Sequence, residues 1–325
     1  MSKDKETLDS REILFIFDSR DCCPNGEREV GNQGPRIDSI SNRAMVTDLC
    51  LKRIIRDYFM YLDNKNDKIL VRQTIEYGDN QEISIDQRFI EDLGVEESRI
   101  KKMSTNELRT LVSDTFIDHR LFGSMLILSN EFIATTGCVQ FENSLSMNIP
   151  SVIQTSISST LASESGKGAG SLGLSSVLDY GVFCVHGIVN KRLSELSSAS
   201  EEDGRKLFEA MWNGVKALNT RTKFQMLPRG LISVIPKDTR FRIPHVNQSI
   251  RLADEQGKNF YECIFNLDEL FKLLLKYQDR IKKIDYFFDP GFNMEVNSVI
   301  FNSFTKALKK SNISIPTAQF QGNFS

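Results

Sequence analysis

The apolar positions along this chain follow two rhythms, and their alternation lays out the elements. Residues 12–17, EILFIF, form an unbroken apolar run typical of a buried central strand. A loop from 18 to about 46 follows, rich in Gly, Pro, Asn and charge, and loops of that length in compact domains are usually functional or disordered. Leu51, Ile54, Ile55, Tyr58, Phe59 and Leu62 then recur at the three-and-four spacing of one helix face, with Thr47 or Asp48 placed to cap the start. KILVRQTIEY, from residue 68, reads as a short strand. TNELRTLVSDTFIDH reads as a helix with Leu108, Leu111, Val112 and Phe116 as its core stripe, so that 68–119 looks like an inserted subdomain. LFGSMLIL and GCVQF are short apolar segments punctuated by glycine, and YGVFCVHGIV at 180–189 is a strong strand.

Between those strands the pattern lapses. Residues 154–178 are dominated by Ser and Gly, with isolated Ile157, Leu161, Leu172 and Leu174, which suits a protruding hairpin and not core. A capping box from Ser200 to Asp203 opens a helix that buries Leu207, Phe208, Met211, Trp212, Val215 and Leu218. RGLISVIP is then expected as a strand, LDELFKLLLKYQDRI as a helix, KIDYFF as a strand and NSVIFNSFTKALKK as a closing helix. Strands and helices mix without a repeated βα unit. This predicts a single elaborated α+β domain over 1–325, a sheet with helices on one face, and no internal repeat.

The totals narrow the function. With 41 Lys and Arg against 43 Asp and Glu the net charge is −2, so a polyanion would be held by local patches and not by overall attraction. The six cysteines include no CxxC pair and there are only three histidines, so no tetrahedral zinc spacing exists; they read as reduced thiols of a cytosolic protein. The apolar run near the N-terminus is too short for a signal sequence and nothing later approaches a membrane span, so a soluble cytoplasmic protein with no membrane partner is expected.

Among candidate chemistries, Lys52, Arg53 and Arg56 fall within roughly 100° of helix arc, away from the apolar stripe and with Asp57 at the margin. Such a basic wedge suits phosphates, or serves solubility alone. Gly168, Gly170 and Gly173 spell GxGxxG but lack the preceding strand and following helix of a dinucleotide site, and GKG lacks the spacing of a phosphate loop. His119, His186 and His245 have no evident nucleophile partner and read as structural. Asp18, Asp21 and Asp38 could hold a metal or activate a hydroxyl for RNA cleavage. Cys22 and Cys23 could form a redox pair or occupy ordinary loop positions, since adjacent cysteines close only a strained ring.

The order of motifs adds a resemblance. An apolar first strand, DCCPNG, NQGPRID and VTDLCLKRIIRD follow one another, and later come RLFGSM, GCVQF and YGVFCVHGIVN. This series resembles the spine subunit of type I CRISPR effector complexes (Cascade), in the type I-B branch of the repeat-associated mysterious protein superfamily, and spans most of the chain. The sequence departs from the common pattern in its two loop cysteines and in a thumb poor in base-stacking aromatics.

The resemblance implies a ferredoxin-like (RNA-recognition-motif-like) palm at 8–65, 120–153 and 179–325, an inserted helical finger-like region at 66–119 and a thumb hairpin at 154–178. It implies a non-catalytic subunit without cofactor or metal that polymerises head to tail along a guide RNA. The thumb of one copy would displace a guide base of its neighbour at intervals and leave the others to pair with target DNA. Implied partners are the CRISPR guide RNA, target DNA through the guide, neighbouring copies, and the large subunit, the guide 5′-handle-binding subunit and the guide-processing endonuclease. Carried over residue by residue, the guide contacts fall on Lys52, Arg53 and Arg56, on Arg36 before that helix, on the turn Gly123, Ser124 and Met125, on Gln140, on Arg20 and on Lys167 at the thumb tip. Sibling subunits of type III complexes cut RNA with a loop aspartate, for which Asp38 is the candidate here, and a scaffold that binds only protein is a third reading.

Overall fold

The computed structural model describes residues 6–26, 34–62, 68–72, 85–128, 131–158 and 172–324. The first apolar run grows into β1 (Arg11–Cys22), longer than its apolar core because pairing continues to Cys22 on one side and to Ser19 on the other. After the short β2 (Met45–Val46), Thr47 caps α1 (Asp48–Tyr61) through its side-chain oxygen, and Leu51, Ile54, Ile55, Tyr58 and Phe59 are buried as the spacing requires. Leu62 lies past the last turn and is exposed.

Four helices follow: α2 (Ile85–Leu93), α3 (Glu97–Ile100), α4 (Thr105–Thr115) and α5 (Ile117–Phe122). Ser104 and Glu107 cap α4 reciprocally. Leu70, Phe89, Ile100, Leu108, Val112, Phe116, Leu126 and Ile133 make a separate small core, six of them from the insertion and the last two from the chain just after it. Of the strand expected from residue 68, Lys68 forms only an isolated bridge to Phe116, and 73–77 lie outside the described residues.

The chain continues through β3 (Gly123–Leu128), β4 (Glu131–Thr136), β5 (Val139–Phe141), β6 (Ser144–Leu145), β7 (Val152–Ser158) and β8 (Leu172–Val189). Next come α6 (Lys191–Ser197), α7 (Glu201–Ala217) with both bonds of its Ser200–Asp203 capping box, and β9 (Met226–Pro236). The last third holds β10 (Arg251–Leu252), β11 (Ile264–Asn266), α8 (Asp268–Tyr277), β12 (Ile281–Phe288), β13 (Asn293–Val296), β14 (Val299–Phe301), α9 (Phe304–Lys310) and β15 (Thr317–Gln319). The expected closing helix is therefore shorter: Asn297 and Ser298 take positive φ, turn β13 into β14, and leave only 304–310 helical.

The main sheet has the order β15-β12-β9-β1-β8-β5, with β7 continuing along the β5 edge of β8. Within it β1, α1, β5, β8, α7 and β9 form a βαββαβ unit whose four strands stand in the order fourth, first, third, second. Alternate residues of β1 serve two cores. Ile13, Phe15 and Phe17 pack with α1 and α7, whereas Leu14 and Ile16 pack with α8, α9 and the second sheet, β10-β11-β13-β14. The expectation of helices on one face is thus corrected: both faces are covered, which is why residues 13–17, ILFIF, are apolar without alternation. Trp212 lies in the α7 core, edge-on to Phe287 at 4.8 Å.

Beyond Cys22, which pairs with Leu178, β1 stops, and residues 172–177 pair with β7 alone among the described residues. Six residues at about 3.3 Å each carry this hairpin roughly 20 Å past the sheet.

Candidate nucleic-acid interface

Two motifs that lie far apart in sequence are bonded to each other at the head of α1. Asn25 accepts hydrogen bonds through its Oδ1 from the Thr47 amide at 3.0 Å and hydroxyl at 2.8 Å, and the Cys50 thiol donates to the Pro24 carbonyl at 3.2 Å. The first loop is thereby stapled to the helix cap, and its Arg36 is held between the Asn25 carbonyl and the Met45 amide. Asn143 receives the Asp48 amide at 3.0 Å, adding the β5–β6 connection to the same corner.

The basic wedge does not face solvent as its helical positions suggest. Lys52 is 7% exposed, its ammonium bonded to Asp48 at 3.1 Å and to the Gln140 carbonyl oxygen at 3.0 Å. Arg56 is 9% exposed and donates to Asp118 at 2.9 Å, while that buried carboxylate also receives the amides of Leu70 and Val71. The Phe122 ring lies 5.9 Å from the Lys52 ammonium and 5.2 Å from the Arg56 guanidinium. Arg53 alone of the three is open, its side chain 51% exposed and paired with Asp57 at 2.6 Å. Each cation thus has one carboxylate, and the wedge carries no net charge. The physical reason is that α5 and β5 lie over the helix face that the apolar stripe leaves polar.

The turn at Gly123 has an internal cause as well. Its φ is +74°, and a β-carbon built there would lie 2.2 Å from the Thr135 carbonyl oxygen and 2.4 Å from the Gly137 nitrogen. The missing side chain is therefore already required by the approach of β3 to the end of β4. Ser124 bonds to His119 Nδ1 at 2.7 Å, and Met125 stands 77% exposed on the outer face of the β3–β4 ribbon, beside Ile127 and Phe132. Gln140 is exposed, with its amide nitrogen 3.4 Å from the Gly137 carbonyl.

Lys52, Arg56, Gln140 and the segment from Asp118 to Ser124 thus meet at one place. Arg20 does not join them: it pairs with Tyr180, eight residues along β8 from the Ile188 partner of Gln140, roughly 26 Å away at about 3.3 Å per residue. Its side chain points to solvent beside Asp21 at 3.6 Å. Lys167, with Gly168 and Gly170, lies outside the described residues.

The remaining titratable groups are mostly committed to the fold. Burial pushes His119 down to about 4, so its ring is neutral near pH 7. Burial also lowers His186, but the hydrogen bonds and charges of Glu12 at 2.6 Å and Glu142 at 3.2 Å outweigh it and hold the imidazole above its usual value. Asp18 is buried against Arg229 and the Tyr180 hydroxyl, and burial raises its carboxyl all the same. Asp38 accepts the amide and hydroxyl of Ser41, at 2.8 and 2.5 Å, which lowers it. All six cysteines carry free thiols, and burial raises Cys22 and pushes Cys23 up to about 11. Among the described residues no group of three or more His, Cys, Asp or Glu is placed to hold a metal ion.

No pattern along the chain marks Asp118 as the partner of Arg56, because their meeting depends on an insertion folding back over α1. The same holds for Arg120, which is buried and doubly bonded to Asp203 of the α7 capping box at 3.0 and 2.7 Å.

The family described as CRISPR-associated protein Cas7 matches residues 9–261. A curated CRISPR-associated protein Cas7 from Haloferax volcanii is 24% identical over 314 residues, covering 89% of this chain and 90% of that one. Similar solved chains include one from a CRISPR RNA-guided surveillance complex, at 14% identity and a TM-score of 0.47, covering 85% of this chain and 88% of that chain. Another, from such a complex in a pre-nicking state, has 12% identity and a TM-score of 0.48, covering 93% of this chain and 99% of that chain.

Proposed function

This chain belongs to the CRISPR-associated protein Cas7 family, and on that premise we propose that it is the repeated guide-RNA-binding spine subunit of a type I-B Cascade complex. The observation that carries the proposal is the family match across 9–261, which takes in both the α1 corner and the β7–β8 hairpin. The βαββαβ unit with strands ordered fourth, first, third, second supports reading the main sheet as a ferredoxin-like palm. In this reading the insertion over 66–119, which shares a small core with β3 and β4, is the finger region, and the β7–β8 hairpin with 154–178 is the thumb.

The subunit binds the guide without catalysis. Arg53, Gln140 and the backbone of Gly123–Ser124 face the strand, and Lys52 and Arg56 act behind them, fixing Gln140 and Phe122. Contacts of this kind grip sugar and phosphate whatever the bases, so Watson–Crick pairing of the guide supplies sequence choice. Copies join head to tail along the RNA in the cytoplasm, together with the large subunit, the 5′-handle-binding subunit and the processing endonuclease.

The test is to purify the protein from cells carrying its CRISPR array and sequence the small RNA that accompanies it. Spacer-containing guides of uniform length are expected. Recovery free of RNA, or with RNA unrelated to the array, overturns the proposal. Incubating the protein with complementary RNA and Mn²⁺ or Mg²⁺ tests the cleavage alternative: cutting that disappears in Asp38→Ala would make this a nuclease.

A further inference from the structure

A cavity of about 260 Å³ lies at the other edge of the main sheet, between the first turns of α7, β12 and the chain after β15. Its lining runs from Arg11 of β1, two strand spacings from β5, to β12, four spacings away, so at about 4.8 Å each it stands roughly 10 to 19 Å from the guide corner in the sheet. On one side it is aromatic. Phe320 packs on Phe208 with ring centroids 4.7 Å apart and stacks on Phe324 at 5.5 Å, and Phe320 is the half-buried member of the three.

Its walls carry charges that are already satisfied. Arg11 is bonded twice to Glu201, at 2.6 and 2.7 Å, and Lys283 to Asp285 at 2.7 Å. Arg205, also lining the cavity, is exposed and makes no ion pair among the described residues.

This combination selects a ligand class. The volume is below the roughly 300–1,000 Å³ of sites that enclose a drug-sized molecule, so the cavity takes one planar ring system and leaves any attached sugar and phosphate outside. The half-exposed ring of Phe320 suits contact with a base, and the Gln319 and Gln321 amides beside it can donate to and accept from a base edge. Arg205 offers a planar fork for phosphate at the mouth. An acidic peptide segment without an aromatic ring would satisfy Arg205 but leave the aromatic wall unused.

We propose that this cavity is a nucleotide site, with a base stacked on Phe320 and its phosphate held by Arg205. It does not rest on the guide-binding reading. A free mononucleotide and one unit of a single strand present the same chemistry, and the test separates them.

Trp212, the only tryptophan, lies 6.1 Å from Phe324 and reports on the cavity by its fluorescence. The full-length protein is titrated with adenosine monophosphate, adenosine and a tetra-adenylate, with equilibrium dialysis alongside. Saturable binding of the monophosphate is expected. Arg205→Ala should weaken it about tenfold while leaving adenosine unchanged, as loss of one charge-assisted contact predicts. Phe320→Leu, which keeps apolar bulk in the cluster, should weaken both. Tighter binding of the tetra-adenylate assigns the site to a strand, and equal or weaker binding assigns it to a free nucleotide. Absence of saturable binding up to about 10 mM, or binding unaltered in both variants, overturns the proposal. Guide RNA retained by Arg205→Ala is measured in parallel, so failure here and failure of the guide-binding reading give different results.

Discussion

Arg56→Ala separates an internal strut from a phosphate ligand. The substitution leaves Asp118, which is fully buried, without its cation, and removing one partner of a buried ion pair costs about 3–5 kcal/mol. Asp118 keeps the amides of Leu70 and Val71, at 2.8 and 3.1 Å, which places the loss near the lower end, about 3 kcal/mol. The guanidinium over Phe122 adds up to about 1 kcal/mol. Arg53→Ala removes a half-exposed pair to Asp57 one helical turn away, worth about 0.5 kcal/mol or less.

Urea denaturation measures the first effect, and a salt titration of guide binding the second. Each phosphate neutralised on a single strand contributes about 0.7 to the slope of log K against log salt. Arg53→Ala should lower the slope by about that amount with little change in stability. Arg56→Ala should do the reverse. Arg56→Lys keeps a cation beside Asp118 and should recover part of the lost stability. If Arg56→Ala stays within about 1 kcal/mol of the parent while the slope drops by about 0.7, the strut assignment is wrong and the residue touches RNA directly.

Gly123→Ala forces a left-handed φ on a residue with a β-carbon, about 1–2 kcal/mol, and drives that carbon into the Thr135 carbonyl and Gly137 nitrogen. A total above about 3 kcal/mol is expected, read as a lower melting temperature and early proteolysis of the β3–β4 ribbon; parent-like stability with weakened RNA binding would contradict it. For His186 the folded value lies above the ordinary 6.5, so the stability it contributes is complete below that pH and is lost as pH rises through the folded value. His186→Gln should flatten the alkaline side of the stability profile, and a profile unchanged above pH 6.5 counts against the Glu12–His186–Glu142 pairing. His119, pushed down to about 4 by burial, acts with opposite sign: the unfolded chain takes up a proton that the folded ring refuses, so stability falls as pH drops from 6.5 toward 4. His119→Asn should remove that acid-side loss, and an acid limb as steep as the parent's would speak against it.

Elements whose causes are local were legible in the sequence. The reciprocal cap of Ser200 and Asp203 and the apolar stripe of α1 involve residues within a turn or two of one another, and both stand where their spacing places them. EILFIF marked a central strand correctly, but which layers covered it was not written there, because a run without alternation reports only that both faces are dry. Short apolar triplets were ambiguous for the same reason: VIF before α9 became β14 once Asn297 and Ser298 turned the chain.

The candidate site divides along this line. Periodicity alone located Lys52, Arg53 and Arg56 on the polar side of their helix, since side-chain direction along a helix is fixed by its pitch. Whether that side meets water was decided by residues some 60 to 90 positions later, when α5 brought Asp118 and Phe122 over it and β5 brought Gln140. Helical geometry determines where a side chain points and set Asp48 and Asp57 one turn from Lys52 and Arg53; only the packing of distant chain could bring Arg56 its carboxylate, Asp118, and bury the face.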